Sequence, residues 1–171
     1  MKLELFSIPV FLDTVDLSKI SISDEPTEST WLSGIQTTLG KQHTISDETV
    51  AHLIDIFNRN LGDLIGPNPR FGQIWRNKYT EHDWQDIHIH PHCQWSFIIY
   101  ETVLESKTVF VNPNYKMIQN HMGMNLNGFP SDFRPKLKTG DMIIFPSFLE
   151  HFVMPGNTGS TISGNLYMDY Q

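Results

Sequence analysis

Three histidines alternate in the stretch DIHIHPH, residues 86–92. Histidine is the commonest metal-binding side chain and uses a neutral imidazole nitrogen. In a β-strand alternate side chains lie on one face, so His88 and His90 are expected to point the same way. Ile87 and Ile89 are then expected to form the opposite, apolar face. The spacing therefore suits two metal ligands supplied by one strand.

A metal needs at least a third ligand, and His151 is the best candidate. It ends the stretch GDMIIFPSFLEH, in which an apolar strand is followed by Pro146 and then, five residues later, by the histidine. Pro91 restricts the chain before His92, so the direction of that side chain cannot be read from alternation. The chain offers other candidate ligands, which are Asp86, His92, Asp141 and Glu150.

Composition narrows the class of protein. The chain has 171 residues, a formal net charge of −7 and a pI near 5.5. This acidic balance argues against nucleic-acid binding through phosphates. Cys93 is the only cysteine, so no internal disulfide can form, and we expect a reducing compartment. Neither a signal peptide nor an apolar run of membrane-spanning length is found, and we expect a cytoplasmic protein.

The order of patterns along the chain predicts a mainly β protein. A strand is expected at residues 3–11, and a helix is expected to follow Ser46 as N-cap and to stop at Gly62. After residue 70, short apolar runs alternate with turn residues, as in a sandwich or barrel. The stretch 112–136, rich in Asn, Gly and Pro, reads as a long loop. We predict one domain, with an N-terminal strand and helical flank at 1–69 and a jelly-roll metal-binding core at 70–171.

The combined motifs resemble the double-stranded β-helix superfamily. Within it they resemble a family of 2-oxoglutarate/Fe(II)-dependent oxygenases from bacteria and tailed phages. The matching pieces, in order, are IWRN, HIHP, WSFIIY, VFVNP, GDMIIFPSFLEH and TISGNLY, which together span roughly residues 70–168. The resemblance implies a jelly-roll fold with flanking helix, and an oxidoreductase that uses Fe(II) and the small-molecule co-substrate 2-oxoglutarate. If the protein is of phage origin, its location is the host cytoplasm.

The resemblance also suggests roles for individual residues. His88, His90 and His151 are expected to bind iron, although the strand pair is HxH where such oxygenases place a carboxylate second. Tyr100 lies where related enzymes hydrogen-bond the co-substrate. The arginine that pairs with its distal carboxylate is replaced by Thr161. Lys107 could then supply a cation, or Thr161 and Ser163 could hydrogen-bond a smaller co-substrate. Arg76 is a second source of positive charge.

Two other functions remain open at this point. A cupin-like metalloprotein could use the three histidines without 2-oxoglutarate, although the glutamate expected soon after HxH is missing. A non-catalytic jelly-roll module could bind a ligand or partner, or take part in phage structure or assembly. The substrate, the identity of the metal and the oligomeric state have no motif, although homodimers are common in this superfamily.

Overall fold

The computed structural model describes residues 7–23, 27–29, 33–66, 68–122 and 130–168. Two α-helices are present among them, α1 (Asp47–Leu61) and α2 (Tyr115–Met122). The strands are β1 (Phe11–Thr14), β2 (Glu28–Ser29), β3 (Gln36–Thr37), β4 (Arg70–Tyr79), β5 (Gln85–His88), β6 (Trp95–Val103), β7 (Thr108–Val111), β8 (Asp132–Phe133), β9 (Asp141–Pro146), β10 (His151–Val153) and β11 (Gly159–Tyr167). Within this described part of the chain, no helix is long and apolar enough to cross a membrane.

The strands form two antiparallel sheets. The larger has seven strands in the order β1-β9-β6-β11-β4-β3-β2, and the smaller has four in the order β5-β10-β7-β8. Neighbouring strands are often distant in sequence, as in β11 between β4 and β6. This is the jelly roll that the sequence predicts. Since β1 pairs with β9, the N-terminal flank shares a sheet with the strands of the C-terminal part.

Strand alternation gives the larger sheet two different faces. One face packs against α1 through a cluster that includes Phe57, Phe97, Ile99 and Ile162, each fully buried. The ring centroids of Phe57 and Phe97 lie 5.4 Å apart. The opposite face turns toward the smaller sheet. There apolar residues of β6 and β9 meet Phe110 of β7 in a second core.

Helix α1 forms where its sequence signals predict. The Ser46 side chain accepts a hydrogen bond from the Thr49 N–H at 3.1 Å, which caps the first turn. Asp47 and Glu48 lie at the positive end of the helix dipole. Gly62 follows the last residue with a φ of 50°, in the left-handed region that glycine adopts most readily.

Three local predictions need correction. Strand β1 begins at Phe11, so the strand expected at 3–11 is displaced toward the C-terminus; residues 1–6 lie outside the described chain. The stretch 112–136, predicted as a loop, contains α2 and β8, while residues 123–129 lie outside the described chain. Both elements are short and mix apolar with polar residues, so their periodicity is too weak to predict them from the sequence.

The third correction concerns Ile87 and Ile89, which do not face an apolar layer. Their exposed fractions are 55% and 45%. The reason is the place of β5 at the edge of the four-stranded sheet, where it pairs with β10 alone. The face opposite the histidines therefore meets solvent.

Candidate metal centre

The three predicted histidines meet at one point between the two sheets. His88 ends β5 and is directly opposite His151 of β10 in the sheet register. His90 follows β5, and its backbone N–H donates to the Ser147 carbonyl at 3.0 Å. One ligand nitrogen from each of the three lies within 4.8 Å of the others. In the described chain this is a group of imidazoles without a carboxylate.

In each of the three histidines, the Nδ1 atom faces an oxygen atom of the protein. The Nδ1 atom of His88 lies 2.6 Å from the Asp86 carbonyl oxygen, and that of His151 lies 3.0 Å from the Leu149 carbonyl oxygen. His90 Nδ1 lies 2.7 Å from Asn165 Oδ1. Because each partner is an acceptor, each Nδ1 carries the proton. Nε2 is therefore the nitrogen through which each ring would bind a metal ion.

Burial keeps these imidazoles neutral. Loss of hydration is the largest cause that lowers the pKa of all three, and for His90 it brings the pKa to about 4. Repulsion from His88 further lowers the pKa of His90 and His151. Neutral imidazoles with oriented lone pairs are the state that a divalent cation requires, so this donor set fits Fe(II).

A network of hydrogen-bonded polar side chains contacts His90 through its Nδ1 atom. Asn165 Oδ1 also accepts a hydrogen bond from the Ser96 hydroxyl at 3.1 Å, and Ser96 and Ser147 hydroxyls lie 2.7 Å apart. Cys93 donates its thiol hydrogen to Ser147 Oγ at 3.1 Å. These contacts fix the Asn165 amide, and the amide in turn fixes the His90 ring.

An enclosed chamber extends from the histidines into the space between the sheets. Asn77, Asn157, Thr161 and Ser163 line it, and each is at most 4% exposed. The Oδ1 atoms of Asn77 and Asn157 have no hydrogen-bond partner among the described residues. Buried polar atoms are rarely left unpaired, so a polar ligand or water belongs here. The chamber is narrow, with a volume of about 10 Å³.

Of the four residues predicted to bind the co-substrate, two line the chamber and two do not. Thr161 and Ser163 line the chamber, whereas Tyr100 does not: its hydroxyl donates to Thr108 Oγ1, which is itself a chamber residue. Lys107 lines a separate surface depression, and its Nζ lies 4.0 Å from Glu105 Oε1. Arg76 pairs with both carboxylate oxygens of Glu101, at 2.9 and 3.0 Å. The residues that the structure describes around the chamber include no lysine or arginine.

The other candidate ligands do not belong to the group of ligand atoms that converge. Asp86, His92 and Glu150 are exposed, and the Asp141 carboxylate accepts from the Lys138 N–H at 2.8 Å. His92 adopts a φ of 66° in the turn after His90, which removes it from the strand alternation.

Sequence reasoning left several of these residues without a role. Asn165 lies two residues beyond Ser163 and four beyond Thr161, so β-strand alternation on β11 could have found it. Asn77 lies in the IWRN piece of the resemblance, but no role followed from it. Asn157 belongs to a turn, and no local pattern links it to the histidines.

A jelly roll in which three histidines converge has the donor set typical of metal-dependent β-proteins. A family described as "putative 2OG-Fe(II) oxygenase" matches residues 73–168 of the chain. The chain belongs to this family, which confirms the resemblance drawn from its motifs. It is an oxygenase whose family uses Fe(II) and 2-oxoglutarate. No curated protein sequence matches the chain significantly.

Solved structures agree on the fold. HygX from Streptomyces hygroscopicus, with nickel, 2-oxoglutarate and hygromycin B bound, has a TM-score of 0.55 at 11% identity. The match covers 85% of this chain and 73% of HygX. The viral collagen prolyl hydroxylase of Paramecium bursaria Chlorella virus-1, in complex with 2OG, has a TM-score of 0.51 at 12% identity. That match covers 80% of each chain.

Proposed function

We propose that the Nε2 atoms of His88, His90 and His151 hold the catalytic Fe(II), and that the enzyme hydroxylates its substrate there. The observation that carries this is the convergence of three neutral imidazoles whose Nδ1 atoms are already occupied. Bound iron supplies the activation of dioxygen. One oxygen atom enters a substrate C–H bond, and the other enters 2-oxoglutarate as it is converted to succinate and CO₂.

The chamber is the proposed site of the co-substrate. Thr161 and Ser163 offer hydroxyl groups, and the amides of Asn77 and Asn157 add groups that can turn to donate. Neutral hydrogen bonds replace the arginine of related enzymes, so we expect weaker binding of the distal carboxylate than a bidentate ion pair provides. Since the chamber is narrow, its side chains must move outward to admit a five-carbon acid.

The decisive experiment is anaerobic addition of Fe(II) and 2-oxoglutarate, followed by visible absorption. A weak charge-transfer band that saturates with 2-oxoglutarate, and succinate formation once air is admitted, is the expected result. His151→Gln should abolish both signals, because the glutamine amide is a poor replacement for imidazole nitrogen. His82→Gln changes an exposed histidine outside the cluster and is the matched control. Iron binding without the band or succinate would contradict the proposed use of 2-oxoglutarate.

If iron binds but 2-oxoglutarate is not used, a specific observation favours an alternative function. The cluster contains imidazoles without a carboxylate, and no cation lines the chamber among the described residues. This donor set also suits an oxygenase or isomerase of the three-histidine type that needs no oxo-acid. Metal bound by the wild-type protein and lost in His151→Gln, with no dependence on 2-oxoglutarate, would favour that alternative.

We also propose a reducing, cytoplasmic location. The supporting observation is the free thiol of Cys93, which donates into the hydroxyl network behind His90. A thiol in this position and an Fe(II) site both benefit from a reducing environment.

A further inference from the structure

A second space adjoins the histidines on their solvent side. It is an open groove of about 350 Å³. Trp75, Gln85, His88 and His90 border both this groove and the enclosed chamber. A ligand in the groove therefore lies next to the proposed metal centre and next to the chamber proposed for the co-substrate. We assign the groove to the substrate whose C–H bond is oxidised.

The groove carries no formal charge. Its described lining residues include no Asp, Glu, Lys or Arg, although the whole chain has a net charge of −7. Away from the proposed metal ion, a charged group in this space would lose hydration without gaining an ionic partner among the lining residues. The part of the substrate bound here is therefore uncharged.

Two amide side chains of the groove are oriented by the protein. Asn165 Oδ1 accepts from His90 and Ser96, and Gln85 Oε1 accepts from the Tyr79 hydroxyl at 3.2 Å. Within the described chain, no acceptor is found for the amide N–H groups of Asn165 and Gln85. Each amide nitrogen carries two donors. The groove thus presents N–H groups to ligand oxygen atoms beside the metal centre.

Aromatic rings supply the other part of the surface. Trp75 and Tyr167 both line the groove, but Trp75 is only 5% exposed. The half-buried Tyr167 ring, which lies on Gly72 of the neighbouring strand, is therefore the aromatic surface open to a ligand. A Cβ atom at residue 72 would lie 1.9 Å from Tyr167 Cε2, so only glycine permits this ring position. The exposed Gln73 side chain follows at the same edge.

We propose that the groove binds a neutral saccharide. Sugar rings present C–H faces that pack on aromatic rings, and hydroxyl and ether oxygens that accept from amide N–H groups. The combination of an accessible tyrosine ring, oriented amides and no charged lining side chain matches both surfaces of such a ligand. A groove of about 350 Å³ suits a compact ring system better than a long extended peptide. This inference rests on the proposed function for the identity of the reacting centre, but binding can be tested without turnover.

The test uses the full chain loaded with Zn²⁺, which binds imidazole and supports no oxidation. Saturation-transfer NMR is recorded with maltose, cellobiose and lactose as neutral probes. Glucuronic acid serves as the charged probe, and an uncharged, end-blocked tetrapeptide serves as the peptide probe. We expect transfer to at least one neutral disaccharide and none to the other two. Binding of the peptide alone, of the acid alone, or of no probe would overturn the saccharide assignment.

Two variants test the place of binding. Tyr167→Ala should weaken saccharide binding about tenfold, the value of a good ring contact, while Zn²⁺ affinity stays unchanged. Gly72→Ala should do the same by displacing the ring. Gly66→Ala is its control, since a Cβ there would meet Met168 at 3.4 Å and residue 66 does not line the groove. Saccharide binding that survives Tyr167→Ala would overturn the groove as its site. Failure of the iron and 2-oxoglutarate assay, with saccharide binding intact, would count against the proposed function alone.

Discussion

At the scale of single residues, the site depends on which nitrogen of each imidazole carries the proton. Two carbonyl oxygens and one amide oxygen occupy the three Nδ1 atoms. Backbone carbonyls cannot be changed by mutation, but Asn165 can. It is therefore the residue through which the orientation of a proposed ligand can be tested separately from the ligand itself.

Asn165→Ala should weaken metal binding by about 10- to 100-fold, the usual effect of removing a partner behind a metal-bound histidine. The His90 ring loses its acceptor, and the Ser96 hydroxyl loses a partner with it. Titration with Co²⁺, followed by its visible spectrum, measures the affinity. Asn165→Asp keeps an acceptor oxygen and should restore most of it. Equal loss in both variants would argue for a general structural defect instead.

Proton binding to the same histidines should set the acid stability of the metal-free protein. Burial lowers the pKa of His90 from 6.5 to about 4, so the unfolded chain binds this proton more readily. Stability is then complete above pH 6.5 and falls as the pH decreases toward 4. His90 alone accounts for a loss on the order of 3 kcal/mol. Lower pKa values of His88 and His151 act in the same direction.

Urea unfolding at pH 7.5 and pH 5 measures this dependence. His90→Gln should show a smaller difference between the two conditions, because the residue that takes up the proton is gone. His82→Gln removes an exposed histidine and should retain the full difference. An identical free energy of unfolding for the wild-type protein at both pH values would contradict neutral burial of the imidazoles.

At the scale of elements, β11 connects the chamber to the groove. Its alternate residues Thr161 and Ser163 line the chamber, Asn165 contacts His90, and Tyr167 lines the groove. The strand pairs with β4 on one side and with β6 on the other over most of its length, and this pairing fixes its position. One strand therefore sets the separation of the proposed co-substrate and substrate sites.

The start of β11 requires a glycine. Gly159 has a φ of 126°, and a Cβ there would lie 1.5 Å from the Thr102 carbonyl oxygen of β6. Gly159→Ala should therefore lower the free energy of unfolding by at least about 2 kcal/mol. Gly40 also has a positive φ, 87°, but has open space around it. Gly40→Ala should cost about 1 kcal/mol, from backbone strain alone.

Chemical denaturation of the two alanine variants separates these costs. The larger loss in Gly159→Ala reports the close approach of two backbones, and not the left-handed conformation that both glycines share. Similar free energies of unfolding for the two variants would show that the β6 backbone moves aside without cost.

At the scale of the whole molecule, metal binding should connect the smaller sheet to the larger one. His88 and His151 belong to the smaller sheet, while the Asn165 partner of His90 belongs to the larger one. Metal at 100 times its dissociation constant should stabilise the folded protein by about 2.7 kcal/mol. The thermal midpoint should then rise by roughly 5–10 °C for a chain of this size.

Thermal unfolding with increasing Zn²⁺ or Ni²⁺ checks this expectation. His151→Gln should remove most of the increase, whereas His82→Gln should leave it intact. A midpoint that does not respond to metal in the wild-type protein would contradict the proposed centre. A response that survives His151→Gln would place the metal elsewhere.

The jelly roll and the α1 helix were predictable from the sequence because their signals are local. Helix capping at Ser46, apolar periodicity and the alternation of His88 with His90 each depend on residues a few positions apart. The apolar strand and Pro146 before it brought His151 into the prediction, and the resemblance narrowed a sandwich or barrel to a jelly roll. That metal ligation involves these three residues remains a prediction, although the structure places them together.

Other features were decided by tertiary structure, because they join residues far apart in the chain. The solvent exposure of Ile87 and Ile89 follows from the position of β5 at the edge of its sheet, which no local sequence pattern reveals. Asn77 and Asn157 meet only when β4 and the turn before β11 close around the chamber. The Tyr167 ring finds its place on Gly72 through the pairing of β11 with β4. The sequence by itself determined the types of ligand and strand; the packing of two sheets determined the chamber, the groove and the residues between them.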